Sequence, residues 1–176
     1  MTRRLFLALL LLLGPLTTTG AGAPDEVPVG GTLGEAMLRG LNGPPRPLSG
    51  FHGKPLIINV WASWCGPCRS EMASLERLAW HEQASQFAII GISTDDYAEK
   101  ARAWLSDSNA TIYQFIDTDL QMEKMLGASR LPLTVLIDAR GRVLSKVYGA
   151  REWDSPESLR LIEQAFKARP TASARR

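Results

Sequence analysis

The sequence predicts an α/β fold: a mixed β-sheet, parallel in its first part and antiparallel at its end, with helices on both faces. Three observations carry this. Short continuous apolar runs at 56–61 and 87–92 suit strands covered on both sides. Amphipathic stretches at helical spacing alternate with the strand-like runs. Near the C-terminus two strand-like runs are separated only by a short turn. The resulting order is β-α-β-α-β-α-β-β-α. Crossover helices imply parallel neighbours, and a late hairpin implies an antiparallel end.

Each element has its own local signal. Residues 22–31, rich in Gly, Ala and Pro, read as a flexible leader. Thr32 and Glu35 have capping-box spacing, so a short helix through Ala36, Met37 and Leu38 is expected. Gly43, Pro44, Pro45 and Pro47 break the chain, and 51–55 form a turn into the first strand. Met72, Leu75, Leu78 and Ala79 predict a helix from Pro67 to about Gln83. Thr94 or Asp95 is expected to cap a helix carrying Tyr97, Ala101, Trp104 and Leu105. Residues 111–116 alternate as a strand. Thr118 and Gln121 form a second capping-box pattern, opening a short helix that stops at Gly127. Residues 133–137 and 143–148 are paired strands around a turn with Gly141 at its fourth position. Ser155 is an N-cap with Pro156 at the first helical position, and Leu159, Ile162 and Phe166 mark the buried face of the last helix. There is no internal repeat. The domain is placed at 47–168, after a leader with a short helix at 22–46 and before a frayed tail at 169–176.

The chain has 176 residues, 45% hydrophobic and 22% charged, enough for one domain with a sizeable core plus appendages. A formal charge of +2 gives no reason to expect a nucleic-acid or acidic-polymer partner. Arg3 and Arg4 precede an apolar run at 5–13 and then small residues, the layout of a secretory signal over 1–21. The alternative is an uncleaved anchor, but nine apolar residues fall short of the roughly 20 that span a bilayer. No cysteine follows the run to carry a lipid. Loss of this segment leaves 18 basic against 18 acidic side chains. Both cysteines, Cys65 and Cys68, therefore meet an oxidising compartment, the periplasm if the source is bacterial. A disulfide closing so short a loop stabilises little chain, so its value is chemical.

Cys65 falls where a strand hands over to a helix. Unpaired N–H groups and the partial positive charge of the first helical turn favour a thiolate there. Cys68 lies one turn deeper on the same face, within reach of a disulfide. Cys65 is read as the exposed attacking thiol, with Cys68 resolving the mixed disulfide. Pro67 suits an early helical position, where no N–H is needed. The competing reading, half of a zinc site, lacks a second ligand pair: the only histidines are His52 and His81. No metal or other cofactor is expected.

The segment Trp64-Cys65-Gly66-Pro67-Cys68 resembles the thioredoxin active site, and the wider text from Gly53 to Met72 resembles the TlpA/ResA/CcmG group of exported thioredoxin-like proteins. The resemblance runs from about Pro47 to Phe166. It implies a thioredoxin-like three-layer sandwich, with a TlpA-type insertion supplied by segments between Asp95 and Gly127. It also implies that Pro132 is cis and faces the cysteines, with Leu131 beside it. Trp64, Gly66, Pro67 and Leu131 would form the surface on which a substrate docks. Cytoplasmic-type thioredoxins carry a buried Asp where this chain has Asn59. Glu71 matches the glutamate of the TlpA/ResA group. A partly buried carboxyl there would pass protons to and from Cys68 and tune both thiols. Ala73 replaces the proline that often kinks the active-site helix, which predicts a straighter one. Trp61 is read as packing, Arg69 as solvated, the histidines as surface residues and the methionines as core. The resulting reading is a thiol–disulfide oxidoreductase, a monomer that reduces protein disulfides in the periplasm. Apocytochrome c or a copper-site assembly protein are the implied substrates, and a membrane thiol carrier of the DsbD/CcdA kind the electron donor. Disulfide isomerase or oxidase activity, or Cu(I) delivery by the dithiol, are the alternatives.

Overall fold

A computed structural model describes residues 25–167; the expected signal segment at 1–21 and the tail at 169–176 lie outside the described residues. The strands are β1 (Met37–Gly40), β2 (Arg46–Pro47), β3 (Leu56–Trp61), β4 (Ala88–Ser93), β5 (Tyr113–Ile116), β6 (Leu133–Ile137) and β7 (Val143–Tyr148). The helices are α1 (Gly66–Ala79), α2 (Ala98–Ser108), α3 (Gln121–Leu126) and α4 (Pro156–Lys167), with 3-10 turns at Leu48–Phe51 and Glu82–Gln86.

All seven strands form one sheet in the order β2-β1-β5-β4-β3-β6-β7. The pairs β3–β4 and β4–β5 are parallel, while β3–β6 and β6–β7 are antiparallel. The mixed sheet expected from the order of elements is therefore present, with β3 in its interior between β4 and β6. Every residue of β3 is buried, and the pleat sends alternate side chains to opposite faces. Leu56, Ile58 and Val60 join a core with Phe51, Phe115 and the α3 residues Met122, Met125 and Leu126. Ile57 and Trp61 join a second core built on α1, α2 and α4, through Met72, Leu75, Ala101, Leu105 and Ile162. Helices thus cover both faces, in three layers. The segment between Asp95 and Gly127 supplies α2, β5 and α3.

Three local expectations are corrected. The helix expected through Ala36 to Leu38 is strand β1, antiparallel to β5. Burial decides it: Ala36 and Leu38 point into the core while Met37 between them is exposed, a period of two. The Glu35 carboxylate accepts from the Ala36 and Ser49 backbone N–H groups and caps no helix. Asp95 and Thr94 do not cap α2, which starts after Tyr97 without a side-chain cap; both are buried. The N-cap of α3 is Leu120, which gives no side-chain cap; the first-turn N–H of Glu123 donates instead to Asp117 Oδ2 at 2.8 Å, and the Thr118 pattern is not used. The Ser155 cap is present, with Ser158 N donating to its Oγ at 3.2 Å. The hairpin turn is present too, with Gly141 at φ +83°.

Gly91 lies where a side chain would not fit. A Cβ there would sit 1.9 Å from Gln114 Oε1, because that buried amide crosses β4 to accept from Trp61 Nε1 at 2.9 Å.

Candidate active site

The C-terminal end of β3 delivers the chain to Cys65, which is the N-cap of α1. Its Sγ accepts from the Cys68 N–H at 3.2 Å, so the sulfur lies in the positive field of the first helical turn. Cys65 and Cys68 are joined as a disulfide. Cys68 is fully buried and Cys65 retains 5% of its surface, so the attacking thiol expected to be exposed is largely covered in the oxidised state. Trp64 projects beside it, 72% exposed, and Gly66 and Pro67 are exposed as well. Arg69 is solvated, as expected.

The Leu131–Pro132 peptide bond is cis. Leu131 is half-buried and packs against the core cluster that contains both cysteines. The Pro132 carbonyl accepts from Gly149 N at 2.9 Å, which ties this loop to the end of β7.

Glu71 sits one turn below Cys68 and is 2% exposed. Helix α1 runs without interruption through the exposed Ala73, with Glu71 one turn past Cys68. Three donors converge on its carboxyl. Asn59 Nδ2 donates to Oε1 at 2.7 Å, while Arg151 N and Trp153 Nε1 donate to Oε2, each at 3.1 Å. Burial pushes the Glu71 carboxyl above the ordinary range, and the bonds from Asn59, Trp153 and Arg151 oppose that shift without cancelling it. Asn59 also donates to Thr134 Oγ1 at 3.0 Å, while its own Oδ1 has no partner. Ser74 completes the seam: its hydroxyl reaches the carbonyls of Glu71 and Arg151 and accepts from Trp153 N.

The structure thus brings Cys65, Cys68, Glu71 and Asn59 together along β3 and α1, with Thr134, two residues past Pro132, joined to them through Asn59. Thr134, Arg151 and Trp153 escape sequence reasoning. A threonine in a strand and a tryptophan in a polar loop carry no periodic signal, and only the tertiary fold turns them inward. Trp61 packs against Trp104, with ring centroids 4.9 Å apart, in agreement with a packing role.

The arrangement suits exchange between a dithiol and a disulfide, and comparison with known proteins agrees. Residues 24–161 match the Redoxin family. The thiol:disulfide interchange protein DsbE of Vibrio cholerae is 35% identical over 135 residues, covering 73% of this chain and 71% of that protein. The thiol-disulfide oxidoreductase ResA of Bacillus subtilis is 27% identical over 71% of this chain and 70% of its own. Among solved structures, a Chlorobium tepidum chain assigned to thiol:disulfide interchange protein DsbE superposes with a TM-score of 0.72 at 26% identity, covering 79% of this chain and 98% of that one.

Proposed function

From the premise that the chain belongs to the Redoxin family and is a thiol–disulfide oxidoreductase, we propose that it reduces protein disulfides in the periplasm, as a step in cytochrome c maturation or copper-site assembly. The observation that carries this reading is the buried, ionisable Glu71 one helical turn past Cys68, on the helix that Cys65 caps.

The reaction begins with the dithiol form. The Cys65 thiolate, favoured by the helix terminus, attacks one sulfur of a substrate disulfide; a mixed disulfide forms and the other substrate sulfur leaves as a thiolate. The Cys68 thiol must then lose its proton. Glu71, one turn away and held above the ordinary carboxyl range by burial, accepts that proton when ionised. The Cys68 thiolate attacks Cys65 Sγ, which closes the Cys65–Cys68 disulfide and releases the second substrate thiolate. Two electrons have passed to the substrate, and the two leaving thiolates take up protons. A membrane dithiol carrier of the DsbD/CcdA kind then restores the reduced form by the reverse exchange. Trp64, Gly66, Pro67 and Leu131 provide the apolar docking rim, and Pro132 shapes its far side. Export rests on the basic, apolar, small-residue order of 1–21. No helix of the described residues is long and apolar enough to cross a membrane.

Trapping tests the proposal. A Cys68→Ala variant expressed in the periplasm should retain substrates on Cys65 as mixed disulfides that dithiothreitol releases, while Cys65→Ala retains none. Capture of cytochrome or copper-site proteins supports the reading. Empty traps would overturn it, as would a reduction potential near the strongly oxidising value of about −120 mV.

A further inference from the structure

Asp95 is a buried acid that the exchange reaction leaves unused. It follows β4 and is 2% exposed. Every side-chain bond it makes is to a serine. Oδ2 accepts from Ser63 N at 2.8 Å and from Ser93 Oγ at 2.7 Å, and Oδ1 accepts from Ser63 Oγ at 2.7 Å. Its own N–H donates back to Ser93 Oγ at 3.1 Å. Ser93 is the last residue of β4, fully buried and paired with Trp61 in the parallel ladder. Ser63 lies two residues before Cys65, in the stretch where β3 gives way to α1 and where regular pairing has ended. The backbone bond from Thr94 N to Trp61 O, 2.9 Å, adds a parallel tie one step earlier.

We propose that Asp95 is a positioning residue for disulfide exchange: its carboxylate anchors Ser63 to the end of β4 and thereby fixes the pose of Trp64 and Cys65. A rigid sheet end is thus coupled by side-chain bonds to a loop that otherwise has few. Trp64 is 72% exposed, and Cys65 must keep its sulfur in line with the Cys68 N–H to act as the N-cap. Holding a reacting group in its productive geometry is worth orders of magnitude in rate, and a misplacement of about 1 Å costs up to 10²-fold. The inference concerns placement and stands whichever way electrons flow through the dithiol.

The donor pattern supplies a conservative control. Asn at 95 can place its oxygen where Oδ2 lies, accepting from Ser63 N and Ser93 Oγ, and its amide nitrogen where Oδ1 lies, donating to the Ser63 hydroxyl. All three contacts survive and the charge is lost.

The test is the rate of exchange between the reduced full chain and insulin disulfides. It is read on the alkaline plateau, where Cys65 is fully thiolate and its acidity drops out. Asp95→Ala should lower the second-order rate constant about tenfold, and Asp95→Asn should stay within about twofold of wild type. Ser63→Ala, which keeps the backbone bond, should fall between them. Intact near-UV circular dichroism at the assay temperature separates misplacement from unfolding. If Asp95→Ala does not fold, Asp95→Ser takes its place with the same expectation. Wild-type rates in Asp95→Ala or its substitute would overturn the proposal, and so would an Asn variant as slow as Ala. If wild type does not reduce insulin, a small aryl disulfide, dithiobis(nitrobenzoate), takes its place with the same ratios expected; a wild type inactive toward both would overturn the exchange chemistry itself.

Discussion

Replacing Asn59 by Asp sets a second carboxyl against Glu71. The bond between the two side chains is 2.7 Å long. Two unit negative charges at that separation repel by about 6 kcal/mol at an effective dielectric constant near 20. The folded pair avoids this by sharing one proton well above the pH at which either carboxyl ionises in the unfolded chain. The sign follows from linkage. Over that interval the folded state binds one more proton than the unfolded state, so stability is full below about pH 4 and falls as pH rises. At about 1.4 kcal/mol per pH unit, the change from about pH 5 to about pH 8 removes roughly 4 kcal/mol. From this is subtracted whatever wild type loses in the same interval, since its own Glu71 carboxyl is also held above the ordinary range. Urea unfolding of the oxidised proteins measures the difference, with the cysteines locked in the disulfide and silent. Identical pH slopes for variant and wild type would refute the reasoning.

Three further outcomes are expected. Glu71→Gln should slow resolution of the mixed disulfide by roughly 10²-fold, the low end for a positioned proton carrier, and should flatten its pH dependence above the ordinary carboxyl range; stopped-flow exchange reads both. Gly91→Ala drives a methyl into the Gln114 amide and should cost about 3 kcal/mol in thermal unfolding, because that amide is fixed by Trp61 and cannot swing away freely. Lys146→Met leaves Glu26 without its partner in an ion pair whose lysine side chain is 8% exposed. Chemical unfolding should show a loss of about 2 kcal/mol, below the fully buried limit because Glu26 keeps 23% exposure.

What the sequence reveals depends on how local each determinant is. The all-buried run of β3, the Ser155 cap, the Gly141 turn and the thiol pair on the first helical turn are set by residues within one element. Composition and spacing display them directly. The fate of Glu35 and Asp95 depends on partners far along the chain. Each sits where a helix cap is locally reasonable, and each is instead taken up by a distant segment: Ser49 for Glu35, Ser63 for Asp95. Likewise β1 has capping-box spacing just before its start but pairs instead with β5, a contact between segments far apart in the chain such as Arg39 with Ile116. The shell around Glu71 is hidden for the same reason, since Arg151 and Trp153 reach it from a loop 80 and 82 residues away.

The indole bond to Glu71 gives the molecule an internal probe. Trp61 and Trp153 are both fully buried, and each spends its single N–H on one acceptor, a neutral amide for Trp61 and a carboxyl for Trp153. A hydrogen bond to an ionised acceptor is stronger than one to a neutral acceptor, so the proton resonance of the Trp153 indole should move as Glu71 gains or loses its proton. The Trp61 resonance, held by an amide that does not titrate, stays as a reference in the same spectrum. Proton occupancy at Glu71 can therefore be followed in the unmodified protein, oxidised or reduced, without labelling either cysteine.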